Sequence, residues 1–222
     1  MTRAGGAFAR EVARALAAPA DGPLAARFPG ALVTALAADA AGEGLERLET
    51  ALAAVSRTLA GLGVPVGRQF VLLAAGSAWP AGARERLRAA LGVPAIAHDP
   101  RGPCFVPGHT DAGERVEVSD ELREAEALVV VGPATGGADG LRGGPFILCP
   151  GLASAATAAA WTAAARGRGA AGAFAFAAAA ERLLPVQLAL LWDVEGRVVA
   201  GDGRERFAAL AAAAGAGSGP SG

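Results

Sequence analysis

The residues of this chain that could do chemistry gather where glycines and strand ends meet. From Val129 to Ser154 the sequence reads VVVGPATGGADGLRGGPFILCPGLAS, a β-branched run followed by closely spaced glycines. A buried strand that feeds a glycine loop and then a helix lets backbone N–H groups approach a ligand, an oxyanion above all. Gly136, Gly137, Gly140, Gly143 and Gly144 form the candidate ligand loop, with Asp139 and Arg142 as its charged members. Arg142 either binds a carboxylate or phosphate through its planar fork or is a plain surface arginine. A mobile connection that holds no ligand is the competing reading of the same composition.

Other candidates stand at predicted strand ends. Asp39 follows the apolar run ALVTALAA that starts at Ala31, so it lies on the edge where open α/β sheets bind ligands, or it caps the next helix. His98 and Asp99 follow a short run from Val93, and could pair a base with a carboxylate. Adjacent strand residues point to opposite faces, which favours a structural or capping role for them. His109, in the loop with Thr110 and Asp111, is expected to be solvent-exposed. Cys104 and Cys149 are too far apart for a CxxC or zinc-knuckle spacing, and two histidines cannot complete a common structural zinc site without carboxylates. Cys149, before Pro150 and with no histidine near it in sequence, is expected to be a packing residue.

Composition removes whole mechanisms. All 20 basic residues are arginine, and the chain has no lysine, asparagine or tyrosine. An internal Schiff base, a P-loop lysine and a cofactor tethered through lysine are therefore excluded. The Ala, Gly and Arg excess is read as biased genomic composition. A formal charge of −1 offers no general attraction to nucleic acid or to an anionic membrane. The N-terminal MTRAGGAFAREVARALAA lacks the apolar core of a secretory signal, which predicts a cytoplasmic protein with free thiols. Gly143 to Ala165 carries no charge, but Gly-Gly-Pro and Pro-Gly break it, so no membrane span is expected.

The elements that must position these residues alternate. Strands are predicted near 31–37, 69–75, 93–98, 127–131 and 186–192, the last returning as a hairpin over Arg197–Ala200. Helices are predicted over Phe8–Ala18, Leu45–Leu62, Ala83–Leu91, Ala153–Ala165, Ala171–Leu183 and Glu205–Ala214, with a short one over Glu121–Glu124 capped by Ser119. Pro100–Pro107 reads as an ordered loop or edge hairpin, and Arg115–Val118 as a strand exposed on one face. The fold class is α/β, a three-layer Rossmann-like domain with a mostly parallel sheet, as one domain over 1–214 with a disordered tail at 215–222.

Six pieces taken in order resemble the N-terminal domain of the nickel-pincer lactate racemase family. They are ARALAAPADGPLAARFPG, LLAAGSAWP, IAHD, GHTDAGERVEV running into ELREAEALVVVG, GGPFILCPGLAS, and LALLWDVEGRVVAGD, and the resemblance covers Ala7 to Ala214. Active members interconvert the enantiomers of lactate or related 2-hydroxy acids. The resemblance puts the lysine that tethers the nickel-pincer nucleotide at Phe146. It puts the family histidines at Ala78, near Gly136, and at Trp161 or Thr162. Of the Asp-x-Thr-Arg motif only Asp39 is kept, with Ala41 and Gly42 where Thr and Arg would hold the cofactor phosphate.

Racemisation through a pyruvate-like intermediate needs a held hydride acceptor and a base, and alanine, glycine and phenylalanine supply neither. No catalytic residue, no cofactor and no metal are therefore expected. The chain also ends where the family's second domain would begin, so a partner protein that supplies it is expected. Two functions follow. One is a non-catalytic module that binds a small anionic metabolite or serves an accessory role. The other is a racemase- or epimerase-class enzyme on a 2-hydroxy acid that uses a non-covalently bound cofactor or a partner chain.

Overall fold

Each long apolar run alternates between two buried faces, as a strand covered on both sides requires. The computed structural model describes residues 3–30, 32–40, 45–75, 79–137 and 140–202, with the strands inside 135–142 described by backbone alone. In chain order the strands that build the main sheet are β1 (Thr34–Ala38), β2 (Gln69–Leu73), β3 (Ala95–Ala97), β6 (Ala127–Pro133), β9 (Val186–Trp192) and β10 (Val198–Gly201). The order across the sheet is β10-β9-β6-β1-β2-β3, parallel throughout except for the β9–β10 hairpin. Leu36, Ala38, Val129, Val131, Leu188, Leu190 and Trp192 face one core, and Ala35, Ala37, Leu128, Val130, Ala189 and Leu191 face the other.

Helices cover both faces. On the first lie α1 (Arg3–Ala17), α2 (Leu45–Gly61) and α3 (Ala83–Leu91). Leu48, Leu52, Val55 and Leu59 recur at helical spacing along α2 and are all buried. The second face carries α4 (Pro145–Leu148), α5 (Ala155–Arg182) and an antiparallel hairpin of β4 (Cys104–His109) with β5 (Arg115–Ser119). This is the three-layer, Rossmann-like arrangement that the strand and helix patterns predict.

The expected break between two Ala-rich helices lies within α5, at Gly169 (φ 64, ψ −158). Trp161 Nε1 donates to the Ala173 carbonyl at 3.1 Å. Twelve residues of straight helix would separate those positions by roughly 18 Å, so the two halves fold back on each other at Gly169. Ser154 caps the first half by accepting from Thr157 N at 3.2 Å.

Several local expectations shift. β3 starts at Ala95 rather than Val93 because Pro94 has no N–H to give, although its carbonyl accepts Val71 N at 2.8 Å. The Pro100–Pro107 stretch enters β4, whose register slips between Phe105 and Gly108, around Pro107. Ser119 does not cap a helix over 121–124. It is still paired with Cys104 in the ladder, and the turn that follows is a single 3₁₀ turn, Asp120–Leu122, without a side-chain cap. The predicted helix Glu205–Ala214 and the tail 215–222 lie outside the described residues. Among the described residues no helix is long and apolar enough to cross a membrane.

Candidate functional site

From β1 the chain winds through α2, β2, α3 and β3 toward one edge, while β6 lies on the other side of β1. The strand order therefore reverses between β1 and β6, and the crevice beyond their carboxyl ends is where such sheets receive ligands. Asp39 stands at that point directly after β1, half-buried, with its amide donating to Val131 O at 3.3 Å. The glycine stretch leaves β6 beside it. Gly132 permits this approach, since a Cβ there would lie 2.7 Å from Ile147 Cδ1 and 3.1 Å from the Asp39 carbonyl oxygen. The fold thus brings Asp39 and the start of the glycine stretch together, as their strand-end positions predict.

The glycine stretch is not an open loop. It folds into an antiparallel hairpin of β7 (Thr135–Gly137) and β8 (Gly140–Arg142), pairing Thr135 with Arg142, Gly136 with Leu141 and Gly137 with Gly140. A two-residue connection makes its flanking pair a hydrogen-bonded one, so the ladder takes up the amides of Gly137 and Gly140 and turns those of Gly136 and Leu141 outward. The expected convergence of all the loop amides on one anion is corrected accordingly. At the hairpin base, Gly143 (φ 87) lies so close to β6 that a Cβ would fall 1.6 Å from Pro133 O. Gly143 and Gly144 are buried, and their amides donate to no other described residue. Asp139 and the Arg142 side chain lie outside the described residues, as do Ala41, Gly42 and Ala78.

The histidines fall elsewhere. His98 is buried two strands from β1, its amide donating to Leu73 O at 3.0 Å and its Nε2 lying 2.9 Å from the Ala153 carbonyl. A carbonyl can only accept, so Nε2 carries the proton in this contact and ties β3 to the turn before α5. Asp99 is exposed and accepts Arg101 N at 2.9 Å, a local turn contact. His109 is exposed at the end of β4. Its neighbour Gly108 packs on Leu183, just before β9 begins, which places His109 at the opposite, amino-terminal edge of the sheet.

Cys149 is fully buried, and burial pushes its thiol up to about 12. An unfolded thiol ionises near ~8.5, so the fold favours the neutral form. That contribution is complete below pH ~8.5 and is lost as pH rises from there through the folded value. Native protein at pH 8 should leave Cys149 unmodified by iodoacetamide while denatured protein is alkylated at both cysteines, as mass spectrometry would show. Native alkylation of Cys149 as fast as that of half-buried Cys104 would contradict this burial.

Phe146 lies in the core of the second face. Its ring meets Trp161 edge-on at 5.9 Å (72°) and Phe174 at 6.4 Å (69°). The sequence pattern places these three residues on separate elements and does not reveal that they meet, because the contact depends on α5 folding back at Gly169. Among the described residues, no three His, Cys, Asp or Glu side chains converge as a metal site would need.

No protein-family model matches this chain. No curated protein matches it either. Among solved structures it is similar to the lactate racemase apoprotein from Thermoanaerobacterium thermosaccharolyticum, with 16% sequence identity and a TM-score of 0.68 over 91% of this chain and 54% of that one. The chain spans about half the length of that racemase and shares its fold over nearly all of its own.

Proposed function

We propose that this chain is a non-catalytic relative of the lactate racemase N-terminal domain, keeping the switch-point crevice as a weak site for a small anion and acting as an accessory module. The observation that carries this reading is the contact between Phe146 and Trp161. The resemblance assigns Phe146 to the cofactor lysine and Trp161 or Thr162 to a histidine, and here the rings of Phe146 and Trp161 meet edge-on. The residues present do not fit a nickel-pincer nucleotide. The chain has no lysine to tether it, Cys149 is sealed as a neutral thiol, and the ring N–H of His98 is committed to a backbone carbonyl.

Anion binding rests on different atoms. The buried amides of Gly143 and Gly144 lie at the hairpin base, where an oxyanion can accept from them without any particular side chain. Arg142 would add charge to that site. A partner protein belongs to the same reading, as does work in the cytoplasm. Neither nucleic acid nor a membrane surface is part of it.

Expression beside the pincer-synthesis enzymes should yield an unmodified chain by intact-mass spectrometry and no stoichiometric nickel. An added mass with nickel near one per chain would overturn the non-catalytic half of the proposal. With few contacts, binding should be weak, with a Kd on the order of 0.1–1 mM. Lactate or phosphate should then shift hairpin amide signals in an NMR titration, and Arg142→Ala should weaken the effect several-fold. Unmoved signals at millimolar anion would overturn the binding half.

A further inference from the structure

The outer edge of the sheet at β3 is open. Val71 N donates to Pro94 O at 2.8 Å and His98 N to Leu73 O at 3.0 Å, which turns Ile96 toward β2. In a parallel ladder the alternate residues then face the other way, so the N–H and C=O groups of Ala95 and Ala97 point outward. No described residue bonds to them. Along this edge runs a cavity of about 610 Å³ with Phe70 and Ile96 on its apolar side and Asp99, Asp120, Glu121 and Glu124 on its polar side.

The charge of that wall is one-sided. Asp120 is bridged by Arg123, whose guanidinium also lies 4.9 Å from the Phe105 ring centroid. Glu121 and Glu124 are exposed and make no ion pair among the described residues. The thiol of nearby Cys104 is raised first by burial and then by Glu117, Asp120 and Asp99, a sign of the same negative field. At the inner end His98 lines the cavity, more than nine-tenths buried, with Nε2 committed to Ala153.

We propose that this edge takes an extended, lysine- or arginine-bearing peptide segment of a partner protein as an added strand beside β3. Backbone groups of Ala95 and Ala97 would supply the pairing, Phe70 and Ile96 the apolar contact, and Glu121 and Glu124 the selection for basic side chains. A second copy of this chain is the poorer occupant, because pairing β3 with its twin sets the two acidic walls against each other. The inference goes beyond the racemase-derived reading and does not depend on it.

The test uses the full chain and a fluorescent heptapeptide of alternating Lys and Val, with a Glu/Val peptide as control. Anisotropy at low salt should show saturable binding of the basic peptide and none of the acidic one, with a Kd on the order of 10–100 μM. Glu121→Gln with Glu124→Gln should weaken binding at least about 5-fold. Ala97→Pro, which removes an outward N–H at an edge and leaves every charge, should do the same. Because the chain has no lysine, carbodiimide should couple Glu121 or Glu124 to the peptide's amines, as peptide mapping would show. Four results would overturn the proposal: no saturable binding, equal binding of the acidic peptide, indifference to Ala97→Pro, or a self-dimer in sedimentation that Ala97→Pro abolishes.

Discussion

Gly143→Ala is expected to be the most damaging alanine substitution among the described glycines whose surroundings are known. The new Cβ would fall 1.6 Å from Pro133 O, 2.6 Å from Pro133 C and 3.1 Å from Ala134 Cα. All three are backbone atoms of β6 or of the residue after it, so no side-chain rotation can relieve the overlap. The positive φ of 87° adds strain for an L side chain. Relief requires the base of the hairpin to lift from the sheet, exposing Phe146, Ile147 and the rest of α4. A cost of roughly 4 kcal/mol or more is expected, a large part of what a domain of this kind has in reserve. Gly113→Ala separates the causes, since Gly113 has φ 84 with nothing within 4 Å and should lose only about 1 kcal/mol. If denaturant melts show equal losses, the close approach at Pro133 is not what fixes the hairpin.

Phe146→Ala should be the second largest loss, about 3–5 kcal/mol, as expected for removing a buried ring. The ring is only 7% exposed and touches Trp161 and Phe174 edge-on, so both neighbours would face a cavity. Phe146→Lys is the more telling variant. If this position still opened onto a cofactor-sized crevice, the lysine stem could pack and its ammonium reach water, and the protein would tolerate it. With the aromatic cluster closed, the charge is left buried without a partner, and Phe146→Lys should be at least as destabilising as Phe146→Ala. A thermal melt in which Phe146→Lys matches the wild type would show the cluster to be open.

Strand positions follow from the continuous apolar runs VVVG, FVLLAA and VQLALLW, which strands buried on both faces leave between turn residues, and the sheet class follows from their alternation with helix patterns. The placement of Asp39 beside the glycine stretch follows from the same logic, since parallel strands put all their carboxyl ends on one edge. What the sequence does not carry is contact across elements. His98 meets Ala153 at a separation of 55 residues, and nothing local to either residue announces it. The same holds for Phe146 and Trp161. The hairpin inside the glycines leaves no mark in the sequence because glycine offers no side-chain alternation to read. The acidic wall at β3 had a faint signal, the carboxylates of SDELREAE. They read as a short helix because Ser119 looked like its cap, whereas the ladder to Cys104 holds Ser119 in β5.

Chiral analysis of L-lactate incubated with the protein tests most directly the proposal that this racemase-like fold works without racemase chemistry. The protein should come from cells that also make the pincer nucleotide, so that a competent site would be charged. The account predicts no D-lactate above the protein-free control, because Phe146 cannot tether a hydride acceptor and the ring N–H of His98 is bound to Ala153. D-lactate that accumulates in proportion to protein concentration would contradict it.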